Sequence, residues 1–357
     1  MTGTGRRGLV LGGGGVLGAA WMVGAMSVLE EEIGVDLREF DELVGTSAGS
    51  VLTALLGAGV SVEDLRRHQL GETMTTGPLA GFHWDYDNAT GGDLPGRPRV
   101  RIGSGGLLVR NARHLRRLPP TAVLSALLPE GRGRLDSVGA LVRHVVPEGW
   151  VGRDGVRVVA MDYESGQRVP FGAPDAPAAD LADAVMASCA IPGWYQPVRI
   201  GGRRYIDGGA WSVTSVDLMI GRELDEVYVV APMVSFAMDE PTQLSTKLER
   251  RWRARVTRRC LHEVALLHRG GTDVTVIGPG PRDLEAIGGN LMDVGRRESV
   301  LRTALETTPV ALRDAAVLDD GLERLEGTLA DLDELEDAAD DDAEDETDVE
   351  SDRPAAG

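Results

Sequence analysis

Ser47 stands in Gly45-Thr46-Ser47-Ala48-Gly49, directly after an apolar run with strand character and directly before one with helix character. Small residues on both sides of a serine at such a junction make a tight elbow that lifts the hydroxyl clear of the backbone. A free hydroxyl is a weak nucleophile at neutral pH and needs a base beside it. Asp207, in Asp207-Gly208-Gly209, follows an apolar run and is the candidate base. A carboxylate in a water-poor pocket gains the basicity to accept the serine proton. Upstream, Gly12 to Gly15 form a run without side chains. Their N–H groups can converge on one point, because no Cβ blocks the approach, and so could hold an oxyanion. One such donor contributes about 3–4 kcal/mol in a transition state. The chemistry these residues spell is serine acyl hydrolysis.

Two other arrangements compete. Gly13, Gly15 and Gly18 also fit G-x-G-x-x-G, with Asp36 and Asp41 near the distance of a ribose-binding acid. That is the dinucleotide fingerprint, but it gives Ser47 and Asp207 no task. The order Ser47, Asp207, then His262 or His268 imitates a hydrolase triad. Only one clear strand precedes the serine strand, however, and His262 falls in a basic helix, so a Ser–Asp dyad is the preferred reading.

The elements needed to position these residues are legible. Gly8 to Leu11 reads as a buried strand, followed by the glycine loop and a helix carrying Leu17, Ala20, Trp21, Gly24 and Val28 at helical spacing. Phe40 to Thr46 reads as a strand, and Ala48 to Leu56 as its helix. Further strands are expected at Val156 to Met161, Arg204 to Ile206, Val227 to Val230 and Val274 to Ile277. Helices are expected over Asp180 to Cys189, Gln243 to Leu267 and Arg296 to Ala315, with a further stretch at Leu322 to Leu335. Strands alternating with helices predict a three-layer α/β/α fold with a mostly parallel central sheet. Residues 68–150, rich in Gly, Pro and Arg, read as a helical and loop insertion over the sheet edge, with short helices near Ala122–Leu128 and Val138–Val146. One catalytic domain over residues 8–325 is expected.

Charge is unevenly spread. The chain carries −19, but residues 331–357 hold 14 of its 56 acids and one of its 37 bases. That segment reads as a disordered acidic tail. The remaining body is only mildly acidic, which argues against nucleic acid as a partner. Cys189 and Cys260 form neither a disulfide framework nor metal-ligand spacing, so no metal or other cofactor is expected, and a reducing, cytoplasmic setting fits. The uncharged stretch from Gly8 to Leu29 has the length of a targeting or spanning segment, but four consecutive glycines break it as a helix through lipid.

Taken together, Gly13-Gly14-Gly15-Val16-Leu17-Gly18, Gly45-Thr46-Ser47-Ala48-Gly49, the segment Ala187 to Val198 and Asp207-Gly208-Gly209 resemble the patatin-like phospholipases. The resemblance implies a Ser47–Asp207 dyad and an oxyanion hole around Gly13, Gly14, Gly15 and Val16. It also implies metal-free hydrolysis of lipid acyl esters. This chain departs from the family pattern at Leu17, where the glycine loop usually carries Arg or Lys.

Two regions suggest contact with lipid. Leu94 to Pro129 holds seven arginines, Arg97, Arg99, Arg101, Arg110, Arg113, Arg116 and Arg117, and no acid, with Leu107, Leu108, Val109, Leu115 and Leu118 among them. Leu244, Leu248, Trp252, Val256 and Cys260 recur every four residues along a basic helix. A basic face with an apolar stripe suits the surface of an anionic membrane, whereas a buried stripe would belong to the core. The partner expected is thus a lipid or other acyl ester, with peripheral contact at an anionic membrane. The alternatives are a lipid-binding or scaffold protein with a degraded site, prompted by Leu17 and the tail, and a dinucleotide-binding module.

Overall fold

The computed structural model describes residues 5–91, 103–111 and 118–318. The expected tail over 331–357, the stretch Leu322 to Leu335, Leu115, and six of the seven arginines between Leu94 and Pro129 lie outside the described residues; Arg110 is the one within them.

The chain opens with strand β1 (Arg7–Leu11), helix α1 (Gly15–Ile33), β2 (Glu42–Thr46) and α2 (Ala48–Gly57). Helices α3 (Val62–Gln69), α4 (Gly105–Arg110), α5 (Pro120–Leu127) and α6 (Asp136–Val145) follow. Next come β3 (Val156–Asp162), β4 (Arg168–Phe171), α7 (Leu181–Ser188), β5 (Val198–Ile200) and β6 (Arg203–Asp207). The last part comprises β7 (Glu226–Val230), α8 (Leu244–His268), β8 (Asp273–Ile277), α9 (Pro281–Ile287) and α10 (Arg297–Leu318).

Eight strands form one sheet in the order β5-β6-β3-β2-β1-β7-β8, with β4 also paired to β3. From β3 to β8 neighbouring strands are parallel. The β4, β5 and β6 pairings are antiparallel. The sheet is therefore mostly parallel, as expected, with an antiparallel margin at β4, β5 and β6. The reason is local: β5 and β6 are joined by the tight turn Gly201-Gly202, and a two-residue connection can only return antiparallel.

Side-chain alternation along the strands builds the layers. Leu9 and Leu11 face the larger core, with α1, α2, α7 and α10, whereas Val10 faces the second core, with α8. Val158 and Ala160 likewise point to the first and Val159 to the second. Helix α1, buried along most of its middle, packs on α10 and on α3. The segment 68–150 does contain the two expected helices, as α5 and α6, and α6 packs against α7 and α2. On α8 the apolar stripe divides: Val256 and Cys260 are core residues, while Leu244 and Leu248 in its first turns are exposed. Its arginines are largely used internally. Arg250 pairs with Asp239 and Glu249, buried Arg253 with Glu249, and Arg259 with Glu263. No helix among the described residues is long and apolar enough to cross a membrane.

Candidate active site

Strand β2 ends at Thr46 and helix α2 starts at Ala48, so Ser47 alone makes the turn. Its backbone has φ 52° and ψ −122°. A side chain in that region costs about 1–3 kcal/mol and persists only where the surroundings enforce it. Here they do. The Ser47 N–H donates to Ser188 Oγ at 2.8 Å, and the Ser188 hydroxyl donates to the Val159 carbonyl at 2.6 Å. The Ser47 carbonyl accepts from the Ser50 N–H and the Ser50 hydroxyl, at 2.8 and 2.6 Å. Gly45 and Gly49 are required by space. A Cβ at Gly49 would lie 2.0 Å from the Leu11 carbonyl oxygen, and one at Gly45 would lie 2.5 Å from that of Gly49. The first turn of α2, with N–H groups that no carbonyl within the helix can satisfy, thus begins at the hydroxyl-bearing residue.

Asp207 ends β6, opposite Ala160 of β3, and Gly208–Ala210 turns away in a single 3₁₀ turn. Because β3 lies between β2 and β6, the sheet brings together residues about 160 positions apart. The Asp207 carboxyl is buried at 5% exposure. Burial pushes its pKa up to about 6, against the opposing pull of the Ser47 hydroxyl and of the Gly209 N–H, which donates to Oδ1 at 2.7 Å. The serine and the carboxylate predicted to cooperate therefore face each other closely enough for one to act on the other's acidity. Cys189 sits beside them, its sulfur 3.8 Å from Ser50 Oγ. Burial and then the Asp207 charge push its thiol well above the usual range, so it is no rival nucleophile.

The glycine loop lies against the elbow. A Cβ at Gly13 would stand 3.3 Å from Ser47 Cβ, and Gly15 and Val16 line a cavity with Ser47. The Gly13 N–H, however, donates to the Val213 carbonyl at 2.9 Å. This removes Gly13 from the expected donor set, since its hydrogen is already committed. The Leu17 N–H donates to Leu291 and the Gly18 N–H to Gly14. Gly14, Gly15 and Val16 keep N–H groups with no carbonyl acceptor among the described residues. Leu17 is fully buried in the larger core, so its side chain belongs to packing and not to the site.

The cavity opens to solvent and leaves about 120 Å³ for the centres of water-sized molecules. Ala19, Val51, Leu52, Leu55 and Leu65 give it an apolar wall, and Leu135, Val138 and Leu141 come from the segment read as an insertion. Neither His262, exposed on α8, nor His268 lines it, so the structure does not bring the triad candidates to Ser47. Among the described residues, no group of three or more His, Cys, Asp and Glu is placed to hold a metal ion.

Three contributors were given no role from the sequence, although Ser188 lies within the segment Ala187 to Val198. Ser188 anchors the elbow through two hydrogen bonds. Buried Glu263 on α8 accepts from the Ser212 and Thr214 hydroxyls and the Val216 N–H, at 2.7, 2.9 and 2.9 Å, fixing the loop whose Val213 carbonyl holds Gly13. Arg297 reaches the cavity wall from the start of α10. A serine in a helix, a glutamate in a basic helix and an arginine at a helix start are common in any soluble chain; only the tertiary contacts single them out.

An α/β protein with a strained serine elbow, a glycine loop and a buried carboxylate over an apolar cavity is the class that fold and site define. The family model described as patatin-like phospholipase matches residues 9–220, more than half of the sequence, and the chain belongs to that family, one of lipid hydrolases. Comparison with curated proteins finds no matching sequence. Among solved structures, VipD from Legionella pneumophila is 14% identical with a TM-score of 0.41, over 92% of this chain and 73% of that one. The ExoU–SpcU complex from the type III secretion system of Pseudomonas aeruginosa is 17% identical with a TM-score of 0.33, over 97% of this chain and 61% of that one. Likenesses so loose leave the family assignment resting on the sequence match.

Proposed function

We propose that this protein hydrolyses lipid acyl esters through a Ser47–Asp207 dyad. The observation that carries the reading is the buried Asp207 carboxyl, its pKa raised toward neutrality, acting on the hydroxyl of a strained elbow serine at an apolar cavity. Asp207 takes the Ser47 proton as Oγ attacks the ester carbonyl. The carbonyl oxygen becomes an oxyanion, which the N–H groups of Gly14, Gly15 and Val16 are available to stabilise. Collapse expels the alcohol, which leaves with the proton from Asp207 and an acyl group on Ser47. Water, deprotonated by Asp207, then attacks the acyl-Ser47 ester, and the fatty acid departs as Ser47 regains its proton. The apolar wall suits an acyl chain.

Peripheral contact with an anionic membrane belongs to the same proposal. It is supported by exposed Leu124, Leu127 and Leu128 at the end of α5, with exposed Trp194 next to the same loop. The decisive experiment is labelling with a fluorophosphonate and identification of the tagged residue. Label on Ser47, lost in Ser47→Ala together with turnover of a p-nitrophenyl ester, is the expected result. Liposome binding without label or acyl release would favour a degraded site instead, and saturable NAD binding without label would favour the nucleotide module.

A further inference from the structure

One wall of the cavity is not apolar. Arg297 lines it, half-buried, at the start of α10. Its Nε donates to the Gln69 carbonyl at 2.9 Å and Nη1 to the Tyr86 carbonyl at 3.4 Å, and the guanidinium lies 4.6 Å from the centre of the Tyr86 ring. Among the described residues Nη2 has no partner and no carboxylate reaches ion-pair distance. Glu298 and Asp87 act on Arg297 only through their more distant charge. Beside it is His68, 9% exposed, whose ring meets Trp84 and Tyr86 edge-on and whose Nε2 has no hydrogen-bond partner. A buried ring nitrogen without a partner and a half-buried cation without a counter-ion are both costly, and both occur on one wall. Carbonyl partners hold Arg297 in place but do not neutralise it.

We propose that Arg297 and His68 form an anion subsite that receives the phosphate of a lipid headgroup while the acyl ester lies at Ser47. The subsite rests on the hydrolase reading and names the substrate class within it: phospholipids or lysophospholipids with an accessible anionic phosphate. A phosphate has several oxygens, so one can take the free guanidinium edge and another a proton on His68 Nε2. Burial and then the Arg297 charge push the His68 pKa down to about 4, so the ring beside the guanidinium is neutral. In its Nε2–H tautomer neutral His68 is a donor, so the ring and the guanidinium can both donate to an arriving phosphate.

The test uses the full-length Ser47→Ala protein, so that binding is read without turnover. The probes, below their micellar concentrations, are an ether-linked lysophosphatidate, the matching neutral alkylglycerol, and inorganic phosphate. Affinity is measured by calorimetric titration, and the His68 imidazole is followed by its nitrogen resonances. Adding Arg297→Gln is expected to weaken the lysophosphatidate ether about 10- to 100-fold more than the alkylglycerol, the range of one charge-assisted contact. Arg297→Lys, which keeps the charge, is expected to recover part of that loss. The His68 Nε2 resonance should move with the lysophosphatidate ether and not with the alkylglycerol. Equal weakening of both lipids would overturn the subsite, as would a stationary His68 resonance. Inorganic phosphate binding as tightly as the lipid analogue would overturn the headgroup assignment. If Arg297→Gln fails to fold, the Arg297→Lys titration and the His68 resonance decide. Failure of fluorophosphonate labelling at Ser47 would remove the hydrolase reading and leave these binding results standing, so the two failures are distinguishable.

Discussion

Replacing Asp207 by Asn should abolish turnover and at the same time stabilise the fold. The Asp207 pKa rises from an ordinary 3.8 to about 6 because the carboxylate is buried. The native state therefore holds this proton to higher pH than the unfolded chain does. Its contribution to stability is fully present below about pH 4 and is lost as the pH rises through about 6. Linkage puts the penalty for the charged form at roughly 1–2 kcal/mol at pH 5 and about 3 kcal/mol at pH 7.5. Asn carries no charge to desolvate. Its side-chain oxygen can still accept from the Gly209 N–H, which is 2.7 Å from Asp207 Oδ1, and its amide can face Ser47. The variant should thus gain up to about 3 kcal/mol at pH 7.5 and about half of that at pH 5. Urea unfolding of both proteins at the two pH values measures the difference, with p-nitrophenyl ester turnover recorded alongside. A variant no more stable than the parent, or a gain independent of pH, would refute the claim that a buried charge is held at this site in readiness for catalysis.

Four further outcomes are expected. The pH profile of kcat/KM should rise with an apparent pKa of about 6 and level off above it, since the base must be ionised. A profile flat from pH 5 to 8 would exclude Asp207 as that base. Gly49→Ala places a Cβ 2.0 Å from the Leu11 carbonyl oxygen, so thermal unfolding should show a loss of about 3 kcal/mol or more. Glu263→Ala leaves the Ser212 and Thr214 hydroxyls and the Val216 N–H without their acceptor. Unfolding should register about 3 kcal/mol, and kcat should fall about 10- to 100-fold as the loop holding Gly13 loosens. His262→Ala and His268→Ala should keep most of their turnover, since neither side chain lines the cavity; a collapse in either would restore the triad.

What the sequence disclosed, and what it withheld, follows from the range of the forces involved. The elbow was legible because its motif is local: Gly45 and Gly49 stand within two residues of Ser47, although the atom that excludes a Cβ at Gly49 belongs to β1. The parallel strands were legible because burial on both faces writes a continuous apolar run, as in Val227 to Val230. Strand β4 and strand β5 left no such trace. Arg168, Val169 and Pro170 are only half-buried at the sheet's margin, and β5 has three residues with Arg199 exposed. Local pattern could not decide the Gly13 N–H either, because its acceptor, Val213, is two hundred residues away and is held in turn by Glu263 on yet another element.

The same reasoning explains the split fate of the basic helix. Its four-residue stripe is one pattern in the sequence, but α8 lies over the sheet only from Trp252 onward, so Val256 and Cys260 become core while Leu244 and Leu248 do not. Glu249 and Asp239 take up arginines that the composition alone would assign to a solvated or lipid-facing surface. Arg297 is the opposite case: it begins a helix, where a cation works against the dipole, and no carboxylate among the described residues reaches ion-pair distance of it. A charge that receives so little from its own fold acquires meaning only from what enters the cavity beside it. That is why the selectivity between anionic and neutral lipids, more than total activity, is the quantity that Arg297 should control.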